Sequence, residues 1–156
     1  MDKIMIINGP NLNMLGIREV AQYGNTSYDD LCSQIEKHSK DKFQIEIYQS
    51  NIEGEIVSKI QDLVEQELDG LIINPGAYTH TSIAIRDALS ILNIPIVEVH
   101  ISDIKKRENF RKINLITDLC STTIIGKGVK GYMDCLLYTS DAADEGLGVD
   151  LGGRRI

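Results

Sequence analysis

The alternation of short apolar runs with stretches of helical spacing constrains this chain most. Ile4-Met5-Ile6-Ile7 and Leu71-Ile72-Ile73 have the length and β-branched content of strands buried on both faces. Ile94 to Val99 and Thr122 to Ile125 read as further strands, and Phe43 to Gln49 alternates as an edge strand does. Between them, Ser27 to Lys40 opens with capping residues and acids, closes with bases, and sets Tyr28, Leu31, Cys32 and Ile35 on one stripe. Ile52 to Leu68 places Ile56, Ile60, Leu63, Val64 and Leu68 at helical spacing before Asp69-Gly70, and Ser82 to Leu92 reads as another helix. Lys105 to Lys112 is a looser basic segment. Right-handed crossovers turn β-α-β-α-β-α-β-α-β into a doubly wound parallel sheet, and five strands favour the flavodoxin-like order 2-1-3-4-5 in a three-layer α/β/α arrangement.

Composition bounds the function. The chain has 156 residues with 42% apolar content, enough for one core. No run approaches the ~20 apolar residues of a membrane span, and Met1-Asp2-Lys3-Ile4 enters a strand without the pattern of a signal peptide. A cytoplasmic protein without a membrane partner is expected. A formal charge of −7 argues against nucleic acid as a partner. Cys32, Cys120 and Cys135 have no metal-type spacing, so buried thiols are expected, with neither a disulfide framework nor a zinc site.

In the expected order, strands one, three and four are neighbours, and ligands of open α/β sheets bind beyond the carboxyl ends of the strands. The polar clusters after Ile7, Ile73 and Val99 therefore converge on one cleft. The first, Asn8 to Gly24, carries Arg18 and Tyr23; a fixed guanidinium beside a tyrosine favours the phenolate, which makes Tyr23 a candidate base. A solvated loop charge and a half-buried anchor fit the pair as well. The second, Asn74 to Ser82, exits its strand sharply at Pro75-Gly76, offers amides at the next helix start for an anion or hydroxyl, and presents Asn74 to orient a substrate or water. A turn with Thr79, Thr81 or Ser82 as helix cap is the alternative. In the third, Glu98 and His100 share a strand face, so the carboxylate can hold the imidazole's tautomer and raise its pKa. The amides of Ile101 and Ser102 suit a carboxylate, with Arg111 within reach. A solvated Glu-x-His pair is the plainer alternative, and convergence of three clusters weighs against it.

The segments Asn-Gly-Pro-Asn-Leu-Asn-x-Leu-Gly-x-Arg-Glu-x-x-x-Tyr-Gly (8–24), Asn-Pro-Gly-Ala-Tyr-Thr-His-Thr-Ser-x-Ala-x-Arg-Asp-Ala (74–88), Glu-Val-His-Ile-Ser (98–102) and Arg-Glu-x-Phe-Arg (107–111) resemble the type II 3-dehydroquinate dehydratases in order and spacing, over about Lys3 to Tyr132. The resemblance implies cofactor-free, metal-free anti elimination of water from 3-dehydroquinate, through an enolate, in the shikimate pathway. It casts Tyr23 as the base with Arg18 holding it as phenolate, His100 as the acid, and Glu98 as its orienting partner. Asn11 resembles the loop residue that secures the closed site, and Asn74 the residue on the enolate side. Ile101 and Ser102 resemble the carboxylate site, while His80 and Arg111 resemble the residues on the ring hydroxyls. The counterpart of Asp87 reaches a neighbouring subunit's site, in a dodecamer built from trimers. Residues near Gly16 to Gly24 are expected to form a lid.

Two positions depart from the family pattern: Val20 stands where proline is common, and Asp103 where asparagine is. Asp103 would put a negative charge near the anion site. The carboxyl-terminal stretch departs further. The family ends with a helix beginning near Gly131-Tyr132, whereas Cys135 to Ile156 holds four glycines and no evident amphipathic stripe. It resembles the conceptual translation of a sequencing adapter read through from a gene cut near Asp134, so residues 1–134 form the expected domain and 135–156 a non-native tail. That reading predicts that Ile124 and Ile125 lose their cover. A flavodoxin-like binding module would want a Ser/Thr/Gly-rich phosphate loop or clustered acids after strand one, and Asn8-Gly9-Pro10-Asn11 is neither. A silent homologue would be expected to lose Tyr23, Arg18 or His100, and all three are present.

Overall fold

A computed structural model describes the backbone of residues 1–151 and the side chains of residues 1–143. Five strands, β1 (Asp2–Asn8), β2 (Phe43–Gln49), β3 (Gly70–Asn74), β4 (Ile96–His100) and β5 (Thr122–Ile125), form one sheet in the order β2-β1-β3-β4-β5. Every pairing is parallel, as the alternation required. The helices are α1 (Val20–Tyr23), α2 (Tyr28–Ser39), α3 (Glu53–Asp62), α4 (Ile83–Leu89) and α5 (Gly131–Leu151). Among the described residues no helix is long and apolar enough to cross a membrane.

The period of two in β1 divides the core. Ile4 and Ile6 pack with Leu31 and Ile35 of α2 and with Tyr132 and Leu136 of α5. Met5 and Ile7 face the other way, onto Ile56 and Ile60 of α3 and Ile85 and Leu89 of α4. Side chains of both parities are buried, which is why these strands read as unbroken apolar runs. Capping fixes two helix starts: Ser27 Oγ accepts from the Asp30 amide at 3.1 Å, and Ser82 Oγ from the Ile85 amide at 2.9 Å.

Three local readings need correction. The stretch after β1 is not a plain polar loop; it holds a 3-10 turn at Leu12–Met14 and the single turn of α1, with Leu12, Leu15 and Tyr23 buried. The expected helix from Ile52 to Leu68 ends at Asp62 and tightens into a 3-10 turn at Leu63–Glu65. Three residues per turn rotates Val64 off the apolar stripe, and it is 49% exposed. Of the thiols, Cys135 alone is buried, while Cys32 and Cys120 are half-buried.

The face of β4 and β5 is covered, contrary to expectation. Tyr132, Cys135, Leu136 and Thr139 are all buried, and their spacing of i, i+3, i+4, i+7 is a helical stripe. Cys and Thr disguised it, and dividing the chain at Asp134 cut it in two. The Thr139 hydroxyl donates back to the Cys135 carbonyl at 2.6 Å, so its methyl can be buried. That methyl occupies the place of a side chain at Gly70: a Cβ there would lie 2.1 Å from Thr139 Cγ2. Ile124 is 6% exposed under this cover. The expectation for residues 144–156 lies outside the described side chains. Leu136→Ala is expected to cost about 2–5 kcal/mol, as for a buried leucine in a packed core. Thermal or urea denaturation checks this; unchanged stability would mean that α5 does not cover the sheet.

Candidate active site

The chain leaves β1, β3 and β4 at adjacent points, because Asn8 pairs in register with Asn74 and Ile73 with Glu98. Their loops enclose a cavity of about 540 Å³ including its open mouth. The first loop contributes Asn11, Arg18 and Tyr23; the second, Asn74 and His80; the third, His100, Ile101, Ser102 and Arg111. Two loops meet without room to spare, since a Cβ on Gly9 would lie 2.3 Å from the Pro75 carbonyl oxygen. Asn11 takes a left-handed backbone (φ 70°) at the rim, and its amide donates to Asn51 Oδ1 at 3.0 Å.

Tyr23 is buried at the end of α1, on a helical turn closed by its amide donating to the Glu19 carbonyl at 3.0 Å. The Arg18 guanidinium lies 3.6 Å from its ring centroid, over the face of the ring rather than beside the hydroxyl. The cation that reaches the oxygen is Arg107, whose Nη1 donates to Tyr23 Oη and to Ser102 Oγ at 3.2 Å. Arg107 carried no assigned role in the sequence reading. It was one cation among several in a basic segment, and only the fold shows which of them turns inward.

Glu98 and His100 are both buried at the end of β4 and joined by a hydrogen bond from His100 Nε2 to Glu98 Oε2. Glu98 is further held by Asn114 Nδ2 at 2.7 Å and by Thr123 Oγ1 at 3.0 Å. Burial alone would push this carboxyl upward. The hydrogen bond and charge of His100, with the bonds from Asn114 and Thr123, outweigh that and hold it below the ordinary carboxylate range. Glu98 is therefore a buried anion. It fixes the orientation of the imidazole through Nε2.

Asn114 is a second residue that sequence reasoning missed. Its Oδ1 accepts from the amides of Ile116 and Thr117, each at 3.0 Å, which aims Nδ2 at Glu98. Arg86 clamps this segment by donating to the Leu115 carbonyl at 2.6 Å and to both oxygens of Asp118. The same segment presents the Ile113 carbonyl to His80 Nδ1 at 2.6 Å. Burial holds the His80 imidazole below its usual range although that carbonyl opposes the shift. The ring is neutral, with Nδ1–H donating and Nε2 left as an acceptor.

Asn74 is 3% exposed, and its Oδ1 accepts from the Gly76 amide at 3.1 Å. Gly76 and Ala77, in a 3-10 turn, line the cavity here. The α4 start does not, which corrects the expectation that its amides face the ligand. Arg111 lines the cavity while its Nε pairs with Glu108 Oε1 at 3.1 Å. Asp87 is exposed on α4, outside this cavity. Asp103 is also outside it; its carboxylate caps the next turn by accepting from the Lys105 amide at 3.2 Å, so it adds no charge to the lining.

The arrangement concentrates Arg18, Arg107 and Arg111 in one cavity of a chain whose net charge is −7, which suits an anionic ligand. It places a phenol under two guanidiniums in the same cavity as an imidazole on a buried carboxylate. The lining contains no lysine to form an imine with a carbonyl. Among the described residues no group of three or more His, Cys, Asp or Glu is placed to hold a metal.

The sequence pattern of the family described as Dehydroquinase class II matches residues 2–140. A 3-dehydroquinate dehydratase of Fusobacterium nucleatum is 53% identical over 139 residues, covering 87% of this chain and 95% of the relative. The crystal structure of the type II dehydroquinase from Butyrivibrio crossotus superposes with a TM-score of 0.87 at 49% identity, over 89% of this chain and 97% of that one. That from Propionibacterium acnes gives 0.84 at 36% identity, over 92% and 97%. A family match across nearly the whole domain, relatives near half-identical and a shared fold lead to one assignment: the chain belongs to the class II dehydroquinases.

Proposed function

We propose that this chain dehydrates 3-dehydroquinate to 3-dehydroshikimate, as the name of its relatives states of them. The observation that carries the reading is the single cavity holding Tyr23 under Arg18 and Arg107 together with His100 on Glu98. The hydrogen at C2, next to a ketone, is weakly acidic, and hydroxide at C1 is a poor leaving group. Both must be assisted. The Tyr23 oxygen, carried as phenolate by the two guanidiniums, takes the C2 proton. The electron pair passes to the ketone oxygen as an enolate beside Asn74. As the enolate collapses the C1–C2 double bond forms, the C1–O bond breaks, and His100 delivers the proton that makes the leaving group water. Each turnover releases one water, and the transfers need no metal or cofactor.

The remaining residues bind. The backbone at Ile101 and Ser102 takes the substrate carboxylate, while neutral His80, through its accepting Nε2, and Arg111 hold the ring hydroxyls. Asn11 and the segment from Gly16 to Gly24 form the lid that excludes water. Asp87, exposed outside its own cavity, reaches the site of a neighbouring subunit in a dodecamer of four trimers. The cellular role is the shikimate step toward chorismate, in the cytoplasm. Substrate deuterated at the C2 hydrogen anti to the C1 hydroxyl tests the mechanism. Loss of the label to water with a primary isotope effect supports it; product that keeps the label overturns the anti pathway.

A further inference from the structure

The two asparagines that end β1 and β3, Asn8 and Asn74, are register partners whose side chains meet one buried hydroxyl. Tyr132, fully buried on α5, donates to Asn8 Oδ1 at 2.6 Å and accepts from Asn74 Nδ2 at 3.0 Å. Asn8 Nδ2 in turn donates to Tyr28 Oη at 3.2 Å. A phenol has one hydrogen, and this one is committed to Asn8. The Asn74 carboxamide must therefore turn its nitrogen to Tyr132 and its oxygen to the Gly76 amide, at 3.1 Å. What remains is the second amide hydrogen, a donor, on a residue that lines the cavity.

We propose that Tyr132 is a positioning residue for the dehydration: wedged between Asn8 and Asn74, its hydroxyl fixes the Asn74 amide so that it presents a hydrogen-bond donor to the enolate oxygen. Burial keeps the phenol neutral, which preserves the direction of the chain from Asn74 through Tyr132 to Asn8. Without the hydroxyl, the Asn74 amide is oriented by the Gly76 amide alone, and its nitrogen loses the acceptor that holds one hydrogen and so aims the other at the cavity. A phenylalanine would fill the same space in the core. It would leave Asn8 Oδ1 and one Asn74 amide hydrogen without this partner, a cost to stability that a thermal melt reads separately from kcat. The inference rests on Asn74 touching the substrate, as read under the proposed function.

A double-mutant cycle with Tyr132→Phe and Asn74→Ala on the full chain tests it. Tyr132→Phe alone is expected to lower kcat about tenfold, the scale of one misdirected hydrogen bond, with KM changed less than about twofold. In the Asn74→Ala background the same change is expected to cost nothing further. An equal fractional loss in both backgrounds overturns the inference, because Tyr132 would then act through packing. Wild-type kcat in Tyr132→Phe, with Asn74→Ala impaired, overturns it while leaving Asn74 in the site. Full activity in Asn74→Ala overturns the Asn74 assignment and the inference together. If Tyr132→Phe does not fold, Asn8→Ala, which frees the phenolic hydrogen to turn, takes its place in the cycle with the same expected outcomes.

Discussion

Tyr23→Phe is expected to fold as the parent does and to lose kcat by about 10²- to 10⁴-fold, the range of a positioned general base. The ring stays buried beneath the Arg18 guanidinium, so most of its packing and cation–π contact survives. What disappears is the oxygen proposed to receive the substrate proton, and with it the acceptor for Arg107 Nη1, which keeps Ser102 Oγ. In the proposed role the phenol acts on the reacting hydrogen rather than on the substrate's fixed groups, so KM is expected to change far less than kcat. Progress curves at saturating substrate, with a thermal melt of the same sample, measure both. A loss below tenfold in a folded variant would remove Tyr23 from the role of base.

Glu98→Gln is expected to lower kcat by about 10²-fold and to destabilise the fold by about 1–3 kcal/mol. Glu98 accepts from His100, Asn114 and Thr123 while fully buried. An amide presents one oxygen and two N–H groups, so a nitrogen must face His100, Asn114 or Thr123. A nitrogen in the Oε2 position would oppose the His100 and Asn114 donors, whereas one in the Oε1 position makes the Thr123 hydroxyl turn to accept and donate to Thr117 Oγ1, 2.7 Å away. In either case the imidazole loses its anionic partner. The pH dependence follows from the sign of the shift. The folded-state pKa of Glu98 lies below its ordinary value. Its contribution to stability is therefore present above the unfolded value, about 4.3, and is lost as pH falls through the lower folded value. Stability of the parent should fall in that acid window, and Glu98→Gln should flatten this part of the profile. Melts of both proteins from pH 7 downward check it, and parallel profiles would mean that Glu98 is not the group that titrates.

Much of the site was legible because strand order and motif spacing act together. Strands β1, β3 and β4 were readable as apolar runs, their adjacency followed from the expected sheet order, and nine candidate residues line one cavity. Glu98 and His100 were legible as a pair because side chains two apart on a strand share a face. The cation at the phenol was not. Arg107 is 84 residues from Tyr23 in sequence, and the Arg-Glu-x-Phe-Arg segment that it opens does not show which buried group it meets. Asn114 and Tyr132 escaped for the same reason: each acts on a buried group that only the tertiary fold brings near. The stripe of α5 escaped for a different one. Its buried positions are Tyr132, Cys135, Leu136 and Thr139, and a thiol and a hydroxyl bonded to its own helix do not read as apolar.

The measurement that bears most directly on the central claim is the absorbance of the conjugated enone carboxylate after 3-dehydroquinate is added to the purified chain. Catalytic turnover, with absorbance rising to many equivalents of enzyme and no metal or cofactor supplied, is the predicted result. A folded protein that binds 3-dehydroquinate and produces no absorbance would contradict the account.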